Sequence, residues 1–182
     1  MNIKLQRGDV ILVYNRGFLS RAIRWVLDFF QKDGAKYSHV AIAVSETEVT
    51  EALWDGIRKR TFEESISNAK RIKIIRYWGL SDFQIELLEL RALSKIGTNY
   101  NYYRLALQLL DNIFATNWFT RHLRLTKDLN ICSTYVAWVY DKALNIKFND
   151  VHWLSVEPDD IDDEFWKNKK DWEEVFRGER YE

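Results

Sequence analysis

The sequence predicts an α+β fold, on three observations. Its pattern runs strand, helix, several close-spaced strands, then helices. No repeat, low-complexity tract or linker divides the chain. With 182 residues, 47% of them hydrophobic, and 8 Trp, 9 Tyr and 10 Phe, it carries enough apolar surface for a substantial core. One domain is expected over 1–162, followed by a charged C-terminal helix or tail over 163–182.

Gly8-Asp9 is a turn signal, and the apolar run Val10 to Tyr14 after it reads as a buried strand. Leu19, Ala22, Ile23, Val26, Leu27 and Phe30 recur at helical spacing, ending near Lys32 with Gly34 as the stop. Ser38 to Val44 and Glu48 to Leu53 are two strands joined by the polar turn Ser45-Glu46-Thr47. Asp55-Gly56 marks another turn, and Ile57 to Phe62 extends the sheet. Arg71 to Trp78 is a further β-rich run. Ser81-Asp82-Phe83-Gln84 is a capping box, opening a helical stripe through Ile85, Leu88, Ala92 and Ile96 to Gly97. Tyr102 to Ile113 reads as helix, and the aromatic segment 115–129 has no clear period. A helix then begins at Cys132 and runs to about Leu144, and Pro158 with Asp159 and Asp160 starts another.

Charge narrows the function classes. Lys plus Arg (27) balances Asp plus Glu (27), which argues against a protein built to neutralise nucleic-acid phosphates. The single cysteine excludes an internal disulfide and any multi-cysteine zinc site. Residues 1–9 hold no apolar run of signal-peptide length, and no stretch approaches about 18 apolar residues. A cytoplasmic protein without a transmembrane segment is expected. No His, Asp and Glu cluster has metal-ligand spacing and no glycine-rich phosphate loop occurs, so no cofactor or metal is expected.

Cys132 falls on the first turn of its predicted helix. Unpaired N–H groups and the helix dipole there stabilise a thiolate, and the same N–H groups can bind an oxyanion. His39 stands at the mouth of an apolar strand. A lone cysteine is commonly a small buried hydrophobe, and a histidine beside a strand is commonly structural. The functional reading comes from the pair, which could serve as nucleophile and base. Glu51, on the strand after that of His39, could hold the second ring nitrogen if the two strands form a hairpin; alone, it reads equally as a solvated glutamate. The rival bases are His122, in the charged run Arg121-His122-Leu123-Arg124, and His152, in a loop before Trp153.

Six ordered pieces resemble the papain-like cysteine hydrolases of the NlpC type, in the circularly permuted YiiX/YebB-like branch. They are Gly8-Asp9-Val10-Ile11, Ser38-His39-Val40-Ala41-Ile42, Val49-Thr50-Glu51-Ala52 before Gly56-Ile57, Gly97-Thr98-Asn99-Tyr100-Asn101, Cys132-Ser133, and Glu157-Pro158-Asp159-Asp160-Ile161. The resemblance implies an antiparallel sheet packed against helices, with Cys132 as nucleophile, His39 as base and Glu51 as third polar residue. It also implies that the Tyr100 hydroxyl helps bind the oxyanion. Thr134-Tyr135 and Asn99 depart from the residues common in that family.

The function expected is cleavage of an amide bond in a peptide, a peptidoglycan fragment or an acyl-amide, through an acyl-enzyme. One alternative is a lipid-amide hydrolase or acyltransferase of the same fold, for which the aromatic stretch Phe114 to Phe119 could touch a membrane surface. Another is a non-catalytic binding domain. Ordinary core packing is the plainer account of that aromatic stretch.

Overall fold

In a computed structural model that describes residues 3–15, 36–98 and 131–179, Val10–Asn15 forms strand β1 at the middle of an antiparallel sheet. Strand β2 (His39–Ala43) pairs on one side of it, followed outward by β3 (Glu48–Leu53) and β4 (Gly56–Thr61). Strand β5 (Ala69–Tyr77) pairs on the other side and β6 (Trp172–Glu179) closes that edge, giving the order β4-β3-β2-β1-β5-β6. A central strand covered on both faces should be apolar without alternation. Val10, Ile11, Leu12 and Val13 are all fully buried.

The edge strands show the opposite chemistry. β4 reads Gly-Ile-Arg-Lys-Arg-Thr, with Arg58 and Lys59 exposed, so charged side chains line the outer edge of the sheet. The short helix α1 (Phe62–Ser65) follows, opened by a capping box between Thr61 and Glu64. It packs Phe62, with Ile66 just beyond it, beneath the sheet against Leu5, Ile11, Val13 and Ala41.

Helices α2 (Asp82–Leu93), α3 (Cys132–Leu144) and α4 (Pro158–Lys167) cover the other face. Val10, Leu12, Val40 and Ile42 from the sheet meet Leu88, Val136, Ile161 and Phe165 there. Gly8 turns the chain into β1 at φ +91°, where a Cβ would stand 3.0 Å from Leu88 Cδ1, and its carbonyl accepts the Tyr140 hydroxyl at 2.5 Å. Asp9, fully buried, takes a two-pronged bond from Arg76 at 2.7 and 2.8 Å, tying the turn to β5.

Three expectations need correction. α2 ends at Leu93 rather than running to Gly97; Gly97, at φ +84°, turns the chain so that Gly97 N–H meets Ile57 O and Ile57 N–H meets Thr98 O, both at 3.0 Å. Phe62, read as strand, begins α1. Within the expected helix or tail over 163–182, the described residues 163–179 finish α4 at Lys167 and form β6, which pairs with β5 from Tyr77↔Trp172 to Arg71↔Glu179. An edge strand carrying Glu173, Glu174, Arg177 and Glu179 looks like a solvated tail when its partner lies about a hundred residues away. The expected helices over 19–30 and 102–113, and the segments 114–119 and 115–129, lie outside the described residues. Among those described, no helix is long and apolar enough to cross a membrane.

Candidate active site

The site forms where the β2–β3 ladder stops. The two strands pair at Ala43↔Val49, Ile42↔Thr50 and Ala41↔Glu51, and pairing goes no further toward His39. Along an antiparallel strand, alternate N–H groups point to opposite neighbours. Ala43 N–H bonds Asp9 O of the β1 side, and Val44 N–H bonds Glu48 O of the β3 side. Val40 N–H therefore emerges toward β3 just past the last pair, where Cys132 Sγ accepts it.

α3 brings the sulfur to that gap. The helix is fixed over β3 by Tyr135, whose buried hydroxyl donates to Ala92 O at 2.9 Å and accepts from Thr50 Oγ1 at 2.8 Å. Ile131 precedes the first turn, its N–H donating to Thr134 Oγ1 at 3.1 Å. Cys132 is the first helical residue, and the N–H of Ser133 also bonds its sulfur. Two backbone N–H groups at the positive end of a helix thus face one sulfur, which favours its anion.

Adjacent residues in a strand point to opposite faces. Thr50 faces α3, so Glu51 faces the α1 side, where it is 1% exposed. His39 lies two residues from Ala41, the cross-strand partner of Glu51, so His39 and Glu51 are diagonal neighbours on one face. His39 Nε2 stands 2.6 Å from Glu51 Oε2. That contact leaves Nδ1 for the bond between the imidazole and the Cys132 side chain. Ser65 Oγ donates to Glu51 Oε2 at 3.0 Å and Arg60 reaches Oε1 at 3.4 Å. Neither Ser65 nor Arg60 stands out in the sequence; the capping box at Thr61 is the one local sign that a turn would fold Ser65 back beneath β3.

The electrostatics follow from these contacts. Burial alone would lower the basicity of His39, but its bonds to Cys132 and Glu51 outweigh that and push it up to about 10. Burial would raise the Cys132 thiol, yet His39 and the N–H groups of Val40 and Ser133 bring it below its ordinary value. Burial likewise disfavours the Glu51 anion, and His39, Ser65 and Arg60 together hold its carboxyl below the usual range. The charge distribution supported is a thiolate, an imidazolium and a carboxylate in line, with the His39 side chain 14% exposed and Cys132 only partly buried.

The other expected residues fall elsewhere. His152 is exposed and caps the 3-10 turn Trp153–Ser155, its Nδ1 accepting Leu154 N–H at 3.3 Å. Tyr100 and His122 lie outside the described residues. Among the described residues no group of three or more His, Cys, Asp and Glu is arranged to hold a metal ion.

A family model for the permuted papain-like amidases of the YaeF/YiiX type matches residues 4–173. No curated protein matches the chain. Among solved structures, the crystal structure of YiiX from Escherichia coli O157:H7, described as a metalloprotein, superposes with a TM-score of 0.56 at 21% identity. That superposition covers 91% of this chain and 84% of the other, and the likeness extends to the fold. With the antiparallel sheet, the helices packed on it and the match over most of its length, this chain belongs to the permuted papain-like amidases of the C92 family.

Proposed function

We propose that the protein hydrolyses an amide bond by nucleophilic catalysis, with Cys132 as nucleophile, His39 as proton carrier and Glu51 as the group that orients His39. The observation that carries the reading is the unbroken line from the Cys132 side chain through His39 to Glu51, closed by the 2.6 Å contact at Nε2. Membership of an amidase family supports the reaction class.

In this mechanism the thiolate attacks the amide carbonyl, forming a C–S bond and an oxyanion. The N–H of Cys132 at the start of α3 stabilises that charge, joined by the Tyr100 hydroxyl in the role the family resemblance implies. As the C–N bond breaks, the His39 imidazolium gives its proton to the departing amine. The neutral imidazole then takes a proton from water as the water oxygen attacks the thioester carbonyl. Collapse of that second intermediate breaks the C–S bond, releases the acid and restores thiolate and imidazolium. Glu51 keeps Nε2–H bonded throughout, so that Nδ1 always faces the sulfur.

The metal in the description of YiiX has no counterpart in this donor set. His39 commits Nε2 to Glu51, leaving Nδ1 and Sγ as two donors, fewer than the three protein ligands a catalytic zinc takes. Among the described residues the donors at this site do not fit a bound metal, and no step runs through one.

A screen of peptide, peptidoglycan-fragment and acyl-amide substrates against wild type and Cys132→Ala tests the proposal. Turnover by wild type that vanishes in the variant is expected. Equal turnover by both would mean that the thiol is a bystander, and a function surviving the substitution without turnover would mark a binding domain.

A further inference from the structure

The motif Glu157-Pro158-Asp159-Asp160-Ile161 takes no part in the mechanism above, yet its segment touches both elements that carry the chemistry. Ser133, next to the nucleophile, donates its hydroxyl to Val156 O at 2.6 Å in a buried contact. Three residues on, Asp159 accepts Tyr37 N–H on Oδ1 and Lys36 N–H on Oδ2, each at 3.2 Å. These two N–H groups belong to the approach to β2, before Ser38 N–H joins Val13 O at 2.9 Å and His39 opens the strand. Pro158, whose ring fixes φ, lies between the two attachment points. One short, stiff span thus ties the residue beside Cys132 to the residues just before His39.

We propose that Asp159 is a positioning residue for the Cys132–His39 pair, holding the entry to β2 against α4 so that the imidazole meets the sulfur. The proposal rests on the thiolate–imidazolium reading and adds to it. Burial holds the Asp159 carboxyl above its ordinary value, and the N–H groups of Lys36 and Tyr37 offset only part of that desolvation. The plainer role for an acid in a helix's first turn is to complement the dipole of its own helix. Asp160 already caps α4: it accepts Glu157 N–H at 2.8 Å and Asn149 Nδ2 at 2.9 Å. That division of labour supplies the control.

The experiment is the pH dependence of iodoacetamide alkylation, which reads Cys132 alone because the chain has 1 cysteine, with thermal midpoints measured in parallel. In Asp159→Ala the alkylation midpoint should rise by about one pH unit, since misplaced partners stabilise the thiolate less. Asp159→Asn keeps the shape and one accepting oxygen but sets an amide N–H against the second backbone N–H. It should shift the midpoint the same way by less, and it decides the matter if the alanine variant fails to fold. Asp160→Ala should lower the thermal midpoint and leave the thiol titration in place. An unmoved midpoint in the Asp159 variants, or an equal shift in Asp160→Ala, overturns the positioning role. A wild-type midpoint at or above the free-thiol value of about 8.5 overturns the thiolate reading itself, a separate outcome.

Discussion

His39 Nε2 sits 2.6 Å from Glu51 Oε2 although the two residues do not oppose each other across the β2–β3 ladder; Glu51 opposes Ala41. The contact is diagonal, and it forms where the strands cease to pair. The same gap frees Val40 N–H for Cys132 Sγ. One interruption of the ladder therefore places both the Cys132 sulfur and the His39 imidazole.

The first prediction separates the candidate bases. His39→Ala should move the Cys132 alkylation midpoint up to or beyond the free-thiol value of about 8.5, since burial then acts without the imidazolium to oppose it. His152→Ala should leave the midpoint unchanged, its effect confined to the cap of the Trp153–Ser155 turn. Equal shifts in the two variants would contradict the assignment of His39.

Glu51→Gln preserves size and an acceptor for Nε2–H but removes the charge. The imidazolium loses its counter-charge while Arg60 at 3.4 Å remains. The thiol midpoint should rise by about 1–2 pH units, the range of a close ion pair. No shift would mean that Glu51 orients the ring without contributing charge.

Stability against pH tests whether thiolate and imidazolium form one pair. His39, raised from 6.5 to about 10, contributes stability that is complete below pH 6.5 and is lost as pH climbs through about 10. Cys132, lowered from 9.0, contributes stability present above pH 9.0 and lost as pH falls through its folded value. Between pH 6.5 and 9.0 the opposing slopes cancel, because the proton has only changed partners. Denaturant unfolding should give a plateau there, a decline above about pH 9, and an acid-side loss to which the lowered Glu51 carboxyl adds. A steady decline starting at pH 6.5 would show that His39 is protonated beside a neutral thiol.

Tyr135→Phe probes the scaffold apart from the chemistry. It leaves the buried Thr50 hydroxyl without its phenol partner and takes one donor from Ala92 O, which keeps Lys95 N–H at 3.4 Å, and should cost about 1–3 kcal/mol. The thermal midpoint should fall while the thiol midpoint moves little, since the bonds of His39, Val40 N–H and Ser133 N–H to the sulfur are left in place.

Elements with local signals were legible in the chain. An apolar run flanked by Gly8-Asp9 is a strand, Ser81 with Gln84 caps a helix, and a cysteine opening an amphipathic stretch stands at a helix N-terminus. The short polar turn between their strands made a His39–Glu51 contact an expectation conditional on a hairpin, and the β2–β3 pairing supplies that hairpin. Only packing of distant segments brings β6 beside β5, Cys132 Sγ to Val40 N–H, and Asp159 to the N–H groups of Lys36 and Tyr37. Those contacts join residues brought near only by packing. Hydrogen bonds across such distances leave no periodicity in the chain, because each depends on the direction of a single donor rather than on a repeated apolar face.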